Sequence, residues 1–376
     1  MATKNDNRMA WIRNIEKLQK SDKDSYFIEH EIATECHVPG VLDYDNGKIL
    51  CGGLTLEKNK DGLRHYLIRI QHAKLEEPYY NDKADKKGYY FRDGILGELL
   101  SLFSLFFQCR FYLVASYSGE LTNHGLKIKT DNKFIYKSCN SLIHPQILKD
   151  NRKRNFAIGL ADFLNSIKKI SSEKHQAIIL SSYHYAKALK EVGIDQEMIF
   201  IRLVSSVEAL SKSMALKKKD NPLNDCDFKK LFDKVNLSEG ESKQLREILK
   251  VNKQNLIKIE KSKLKFIRFI EKYSTGCFKG GNWKAKHVKI SKKDLPKTLK
   301  KIYDARSEYL HNGEAMYLSQ ILHGGEMWDT DPSLGMIVDN RKVPASKKLP
   351  YGYWFENIVR CSLLNYLEEQ AKLKSK

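Results

Sequence analysis

The stretch Pro296–Gly313, PKTLKKIYDARSEYLHNG, decides how the second half of this chain is read. Proline suits the first turn of a helix because its missing N–H would have no partner there, and glycine suits the end because it accepts a left-handed backbone. The spacing predicts a helix from Pro296 to Asn312 that stops at Gly313. Near its C-terminal end it carries Arg306 and His311, separated by four residues. Arginine binds phosphate through paired donors, and histidine is the side chain whose proton moves near neutral pH. RNA cleavage needs both: a base for the 2′-OH proton, an acid for the departing 5′-oxygen and a cation for the charged phosphorane. Five positions on a helix rotate a side chain by about 140°, so one copy of the pair is an incomplete site. Two such helices around a twofold axis would converge their Arg and His residues on one phosphate.

Outward from this helix the second half reads as helical. Ser171–Val192 has apolar residues near a 3.6-residue period, and Asp195 is placed to cap a helix containing Ile199, Phe200, Leu203, Val207 and Leu210. The segment KKKDNPLNDCD breaks the pattern at Pro222, and Ser242–Tyr273 reads as a long basic amphipathic helix. Tyr353–Leu373 supplies a closing helix.

The first half differs. Candidate strands are Tyr26–Ala33, Gly47–Glu57, Leu63–Ala73, Phe111–Tyr117 and Leu126–Ile128, with the hairpin signal Asp45-Asn46-Gly47 and a buried helix over Gly94–Gln108. The polar run Lys149–Arg154 marks the boundary. The expected organisation is therefore an α+β domain over residues 1–150, suited to recognition of a trigger ligand or protein. An all-α bundle over 151–376 follows, with a basic insertion around 212–301, so that the whole is predominantly helical.

Composition bounds the function. At 376 residues, 41% apolar and 30% charged, the chain is long enough for a substantial core and too apolar to be disordered. The net charge is +20, and Lys212–Lys301 holds 26 Lys or Arg against 10 Asp or Glu, a surplus of 16. Such a field attracts polyanions, RNA first among them, although a solvated lysine-rich face gives the same count. Lys217, Lys218, Lys219, Trp283, Lys284 and Lys286 are the candidate RNA-binding residues, the indole as a stacking surface for a base.

Seven cysteines without a C-x-x-C pair suggest free thiols in a reducing cytoplasm. The N-terminus lacks the pattern of a secretory signal. Glu98, Gln108 and Arg110 interrupt the apolar run Ile95–Ala115, which reads as a buried helix entering a strand rather than a membrane span. His65, His72 and His124 fit no ligand spacing, so no metal and no cofactor is expected. There is no P-loop and no G-S-x-x-x-D-x-D nucleotidyltransferase pattern.

The motif DARSEYLHNGE at Asp304–Glu314 resembles the R-x-x-x-x-H signature of the HEPN superfamily, and within it the Apea-like HEPN proteins. RLVSSVEALSK at Arg202–Lys212 is similar to the earlier family helix with an E-A-L core, so the resemblance covers roughly Ser171–Leu373. It implies a four- or five-helix bundle that dimerises and cleaves RNA without metal, as a toxin or antiviral effector. Arg306 and His311 carry over as catalytic, with Glu208, Ser307, Tyr309 and Asn312 as supporting residues. Glu208 either orients Arg306 or simply faces solvent. The residue after the arginine is commonly Asn, Asp or His in the family, and here it is Ser307. That departure keeps a rival open, a non-catalytic module that binds RNA or a partner protein. HVPGVLDYDNGKI faintly resembles the strand-turn-strand opening of sensor domains that precede such effectors.

Overall fold

The computed structural model describes residues 8–21, 25–38, 40–54, 63–73, 94–117, 128–129, 135–136, 159–216, 240, 261–277, 290–316, 318, 337–338, 341–342 and 349–373. Its first element is a helix, α1 (Ala10–Lys20), which the reading of the sequence does not assign. Trp11, Ile12, Ile15 and Leu18 form one buried face on it. Asn14 tacks this helix to the sheet, donating from Nδ2 to Gln71 O at 2.7 Å and accepting from Ala73 N at 3.0 Å.

The sheet is antiparallel, in the order β3 (Val41–Tyr44), β4 (Ile49–Leu54), β5 (Arg64–Ala73), β1 (Ser25–Thr34), β6 (Tyr112–Tyr117), with β7 (Ile128–Lys129) also on β4. Ten consecutive pairs, from Ser25 with Ala73 to Thr34 with Arg64, join β1 to β5. The Asp45-Asn46-Gly47 turn closes the β3–β4 hairpin with all three residues at positive φ (54°, 57° and 81°), a backbone that Asn, Asp and Gly tolerate best. Four short strands form two further ladders among the described residues: β2 (Cys36–His37) pairs with β8 (Ile135–Tyr136), and β9 (Ile337–Val338) with β10 (Arg341–Lys342).

The apolar run becomes α2 (Gly94–Phe107), after which Gln108 turns the chain at φ 61° toward β6. Leucines and phenylalanines surround α2 because it is covered on several sides, by α1, by α3 (Leu160–Lys168) and by α4 (His175–Lys190). Among the described residues no helix is long and apolar enough to cross a membrane.

Beyond α3 the described residues are mainly helical, apart from the small β9–β10 ladder. A short turn joins α4 to α5 (Gln196–Ser211), and Asp195 caps α5 by accepting from Met198 N at 2.9 Å. Residues 261–273 form α6, the described part of the expected long basic helix; α7 (Leu295–Asn312) and α8 (Gly352–Leu373) follow. Aromatic rings tie these four helices: Phe200 of α5 stacks on Phe355 of α8 at 5.3 Å, and Phe266 of α6 lies 6.4 Å from Phe355 and 5.4 Å from Tyr303 of α7.

One buried apolar cluster runs from the sheet through α2 into the helices. Polar groups cross the same seam. Glu356 of α8 is 0% exposed and accepts from Gln108 Nε2 at 2.7 Å and from the Tyr185 hydroxyl. Arg360 of α8 donates to Leu105 O at 2.8 Å and to Phe106 O at 2.6 Å, placing a cation on the carbonyls at the negative end of α2.

The cysteines correct the reading of free thiols. Cys36 is bonded to Cys109 and Cys277 to Cys361, and Cys51 is buried and unpaired. The folded chain brings together positions 73 and 84 residues apart, which spacing in the sequence does not announce. The expectation of a reducing cytoplasm loses the support it drew from thiols. Of the three histidines, His65 pairs with Glu31 at 2.6 Å and His72 stacks on Tyr26, while His124 lies outside the described residues.

Candidate active site at the end of α7

Leu295, Leu299, Ile302 and Tyr303 bury one face of α7 and so fix which side chains remain for chemistry. Pro296 stands in its first turn, and Gly313, at φ 68°, ends it with its N–H on Tyr309 O at 3.1 Å. Arg306 points toward α5. Its Nη2 donates to Glu208 Oε2 at 3.1 Å, and the Tyr303 hydroxyl donates to Glu208 Oε1 at 2.6 Å, so one carboxylate holds two donors from α7. The guanidinium carbon lies 5.8 Å from the centre of the Tyr303 ring. Arg306 and Glu208 side chains are each 20% exposed, and Arg306 Nε is buried without a hydrogen-bond partner. Glu208 therefore contacts Arg306 rather than facing open solvent.

His311 is exposed in the last turn of α7, as is Asn312; Ser307 and Tyr309 are half-buried. The helical rotation of about 140° sends His311 away from the face that carries Arg306. A second carboxylate fastens this end of the helix: Glu197, in the first turn of α5, accepts from Met316 N at 2.6 Å. The charge of Glu197 is also the main reason that the Tyr309 phenol is raised above its usual pKa, ahead of burial, with Asp195 and a hydrogen bond from Tyr309 to Glu197 adding to it. Glu197 and Glu208 are eleven positions apart, three helical turns, and so share a face of α5. That spacing is visible in the sequence and would have identified Glu197. Tyr303, and the ion pair at 3.1 Å between Lys263 of α6 and Asp304 of α7, needed the helix crossings to be known.

Lys297 and Lys300 are exposed on α7 and fall within about 40° of His311 around the axis. Burial and then the charge of Lys297 lower the pKa of Lys301 beside them, the effect expected where ammonium groups crowd. Lys217, Lys218, Lys219, Trp283, Lys284 and Lys286 lie outside the described residues.

Comparison with family models, with curated proteins and with solved structures gives no match. The reading of the site therefore rests on its geometry and chemistry. The carboxylates of Glu208 and Asp304 are each engaged by a cation, Arg306 and Lys263 respectively. Among the described residues no group of three or more His, Cys, Asp or Glu side chains is arranged to hold a metal ion.

Proposed function

We propose that the C-terminal end of α7 is half of the active centre of a metal-independent endoribonuclease of the HEPN type, completed by a second copy of the chain. The observation that carries this reading is the division of labour on one helix: Arg306 is held in place by Glu208, while His311 stands exposed at the helix end. A guanidinium has five N–H donors, and a monodentate carboxylate leaves others for a phosphate. In the reaction a histidine takes the proton of the 2′-OH, and the freed oxygen attacks the adjacent phosphorus. The bond to the 5′-oxygen breaks and that oxygen leaves with a proton, giving a 2′,3′-cyclic phosphate. Arginine steadies the added negative charge. Lys297 and Lys300, on the His311 side of the helix, offer a path for the RNA backbone toward the site. A toxin or antiviral effector is the biological role that fits such an activity.

The test is cleavage of mixed RNAs by purified protein, with and without EDTA, beside His311→Ala. Cleavage should survive EDTA, leave cyclic phosphate ends and fall on the order of 10²-fold or more in the variant. Loss of activity on chelation, or wild-type cleavage by His311→Ala, overturns the proposal. The Arg306–Glu208 pair also favours a second reading, in which it is a fastener between helices in a module that binds RNA without cutting it. Retained RNA binding with no cleavage by the wild-type protein would select that reading.

A further inference from the structure

We propose that the groove between α3 and α8 binds a fatty acid, with the carboxylate on Arg360 and the acyl chain laid along α8. The groove encloses about 630 Å³. Its floor is one face of α8: Arg360, Leu364, Leu367, Glu368, Ala371 and Lys372 recur at helical spacing over a length of about 18 Å. Phe163 and Ile167 of α3 and Phe106 of α2 supply the opposite wall, the two phenylalanine rings lying 5.2 Å apart. Ile167 and Leu367 belong to the core, whereas Phe106, Phe163 and Leu364 are only partly covered and leave apolar surface on the groove.

Charge and width define the occupant. Arg360 donates from Nε to Leu105 O and from Nη2 to Phe106 O, and these two bonds fix the guanidinium at one end of the groove. Its third nitrogen, Nη1, is neither buried nor hydrogen-bonded among the described residues, so both of its N–H groups remain to meet an anion. Among the described residues no carboxylate answers the charge of Arg360. Glu356, one turn back, accepts from Gln108 and Tyr185, and Glu368 is paired with Lys372 toward the other end of the groove. Lys169, on the rim, is exposed and its charge is screened by solvent. A fixed cation with free donors beside apolar walls matches a molecule with one anionic head and a long apolar body. Spread over about 18 Å, 630 Å³ corresponds to a channel about 7 Å wide, narrower than the roughly 10–12 Å of a helix with its side chains. That width excludes a docked helix and admits a single extended acyl chain.

The experiment is a titration of the full-length protein with cis-parinarate, a fatty acid whose fluorescence rises on leaving water. Displacement by dodecanoate, octanoate, 1-dodecanol and dodecylamine, each below its micellar concentration, follows. Parinarate should saturate one site per chain, and dodecanoate should displace it. Dodecanol should bind about tenfold or more weakly than dodecanoate, and dodecylamine should not displace the probe. Octanoate should lose about three- to fourfold in affinity for each methylene that it lacks. Arg360→Gln removes the charge and should bring dodecanoate down to the affinity of the alcohol. Ser166 lines the groove on its exposed side, with its hydroxyl turned back to Asp162 O; Ser166→Trp should fill the groove and abolish binding of acid and alcohol alike. If Arg360→Gln does not fold, the preference of the wild-type protein for acid over amine and the Ser166→Trp result decide. Absence of saturable parinarate binding, equal affinity for dodecylamine, or wild-type dodecanoate affinity in either variant overturns the proposal. None of these outcomes depends on whether the protein cleaves RNA.

Discussion

Glu208 is the residue on which the end of α7 depends most. Its two oxygens serve the Arg306 guanidinium and the Tyr303 hydroxyl, so removing it leaves two partly buried donors without an acceptor. Glu208→Ala should lower the free energy of unfolding by about 1–3 kcal/mol, toward the low end because solvent screens a pair that is 20% exposed. Tyr303→Phe removes only one bond and should cost about 0.5–1.5 kcal/mol. Denaturant midpoints at constant slope measure both; equal stability of Glu208→Ala and wild type would show that the carboxylate orients nothing. At this scale the sequence was readable in part. Arg306, His311 and Glu208 stand in motifs that can be recognised along the chain. The phenol of Tyr303 enters the site only because α7 crosses α5 with that face inward, a long-range fact with no local pattern.

At the scale of elements, α1 shows how a buried acid can govern a helix end. Glu98 of α2, 5% exposed, accepts from Trp11 N at 3.1 Å in the first turn of α1. Burial raises its pKa to about 7, against the lowering effect of the Ala10 and Trp11 amides and the Arg13 charge. Between about pH 4.5 and 7 the folded chain holds a proton that the unfolded chain has released, so stability falls as pH rises through this window and is level above it. Relative to Glu98→Gln, the wild-type protein should lose on the order of 3 kcal/mol across the window. His184 of α4 acts with the opposite sign. Burial and then the Arg202 charge lower its pKa to about 4, so it contributes stability that is complete above pH 6.5 and is lost as pH falls toward 4. Unfolding curves at a series of pH values for Glu98→Gln and His184→Gln separate the two; a Glu98→Gln curve parallel to wild type would show that the carboxyl is not raised. Most elements were legible because each carries its own period: β1, β5, α2, α5, α7 and α8 lie within a few residues of their expected bounds. The missed α1 has a clear apolar face, but its flanks of Lys, Asn and Asp resemble a solvated terminus. What makes it helical and buried is the surface of α2 and β5, which no local window contains.

Across the whole molecule, the disulfides and the shared core set the stability. The Cys36–Cys109 and Cys277–Cys361 bonds close loops of 73 and 84 residues, and loop entropy assigns each on the order of 4 kcal/mol of stabilisation. Unfolded protein alkylated after reduction should therefore take up at least four more labels than unfolded protein alkylated without it, and reduction should lower the melting temperature. Identical labelling in both conditions would show that the thiols are free. Arg110 adds a contact beside the first bond, donating from Nε to Glu35 at 2.9 Å.

The seam formed by Gln108, Tyr185, Glu356 and Arg360 reaches beyond stability, to how such a chain can be inherited. A protein whose two halves meet only through a linker can exchange one half by recombination and keep the other working. Here the carboxylate of Glu356 takes its donors from both sides of residue 150, and the carbonyls that end α2 are met by an arginine of α8. A crossover near residue 150 would take the Gln108 donor from the buried carboxyl of Glu356 and leave an apolar face of α4 open to water. Descendants that join this helical half to an unrelated N-terminal half are accordingly expected to have repaired Glu356 and Arg360 first, and those two positions are where a change of lineage partner should leave its mark.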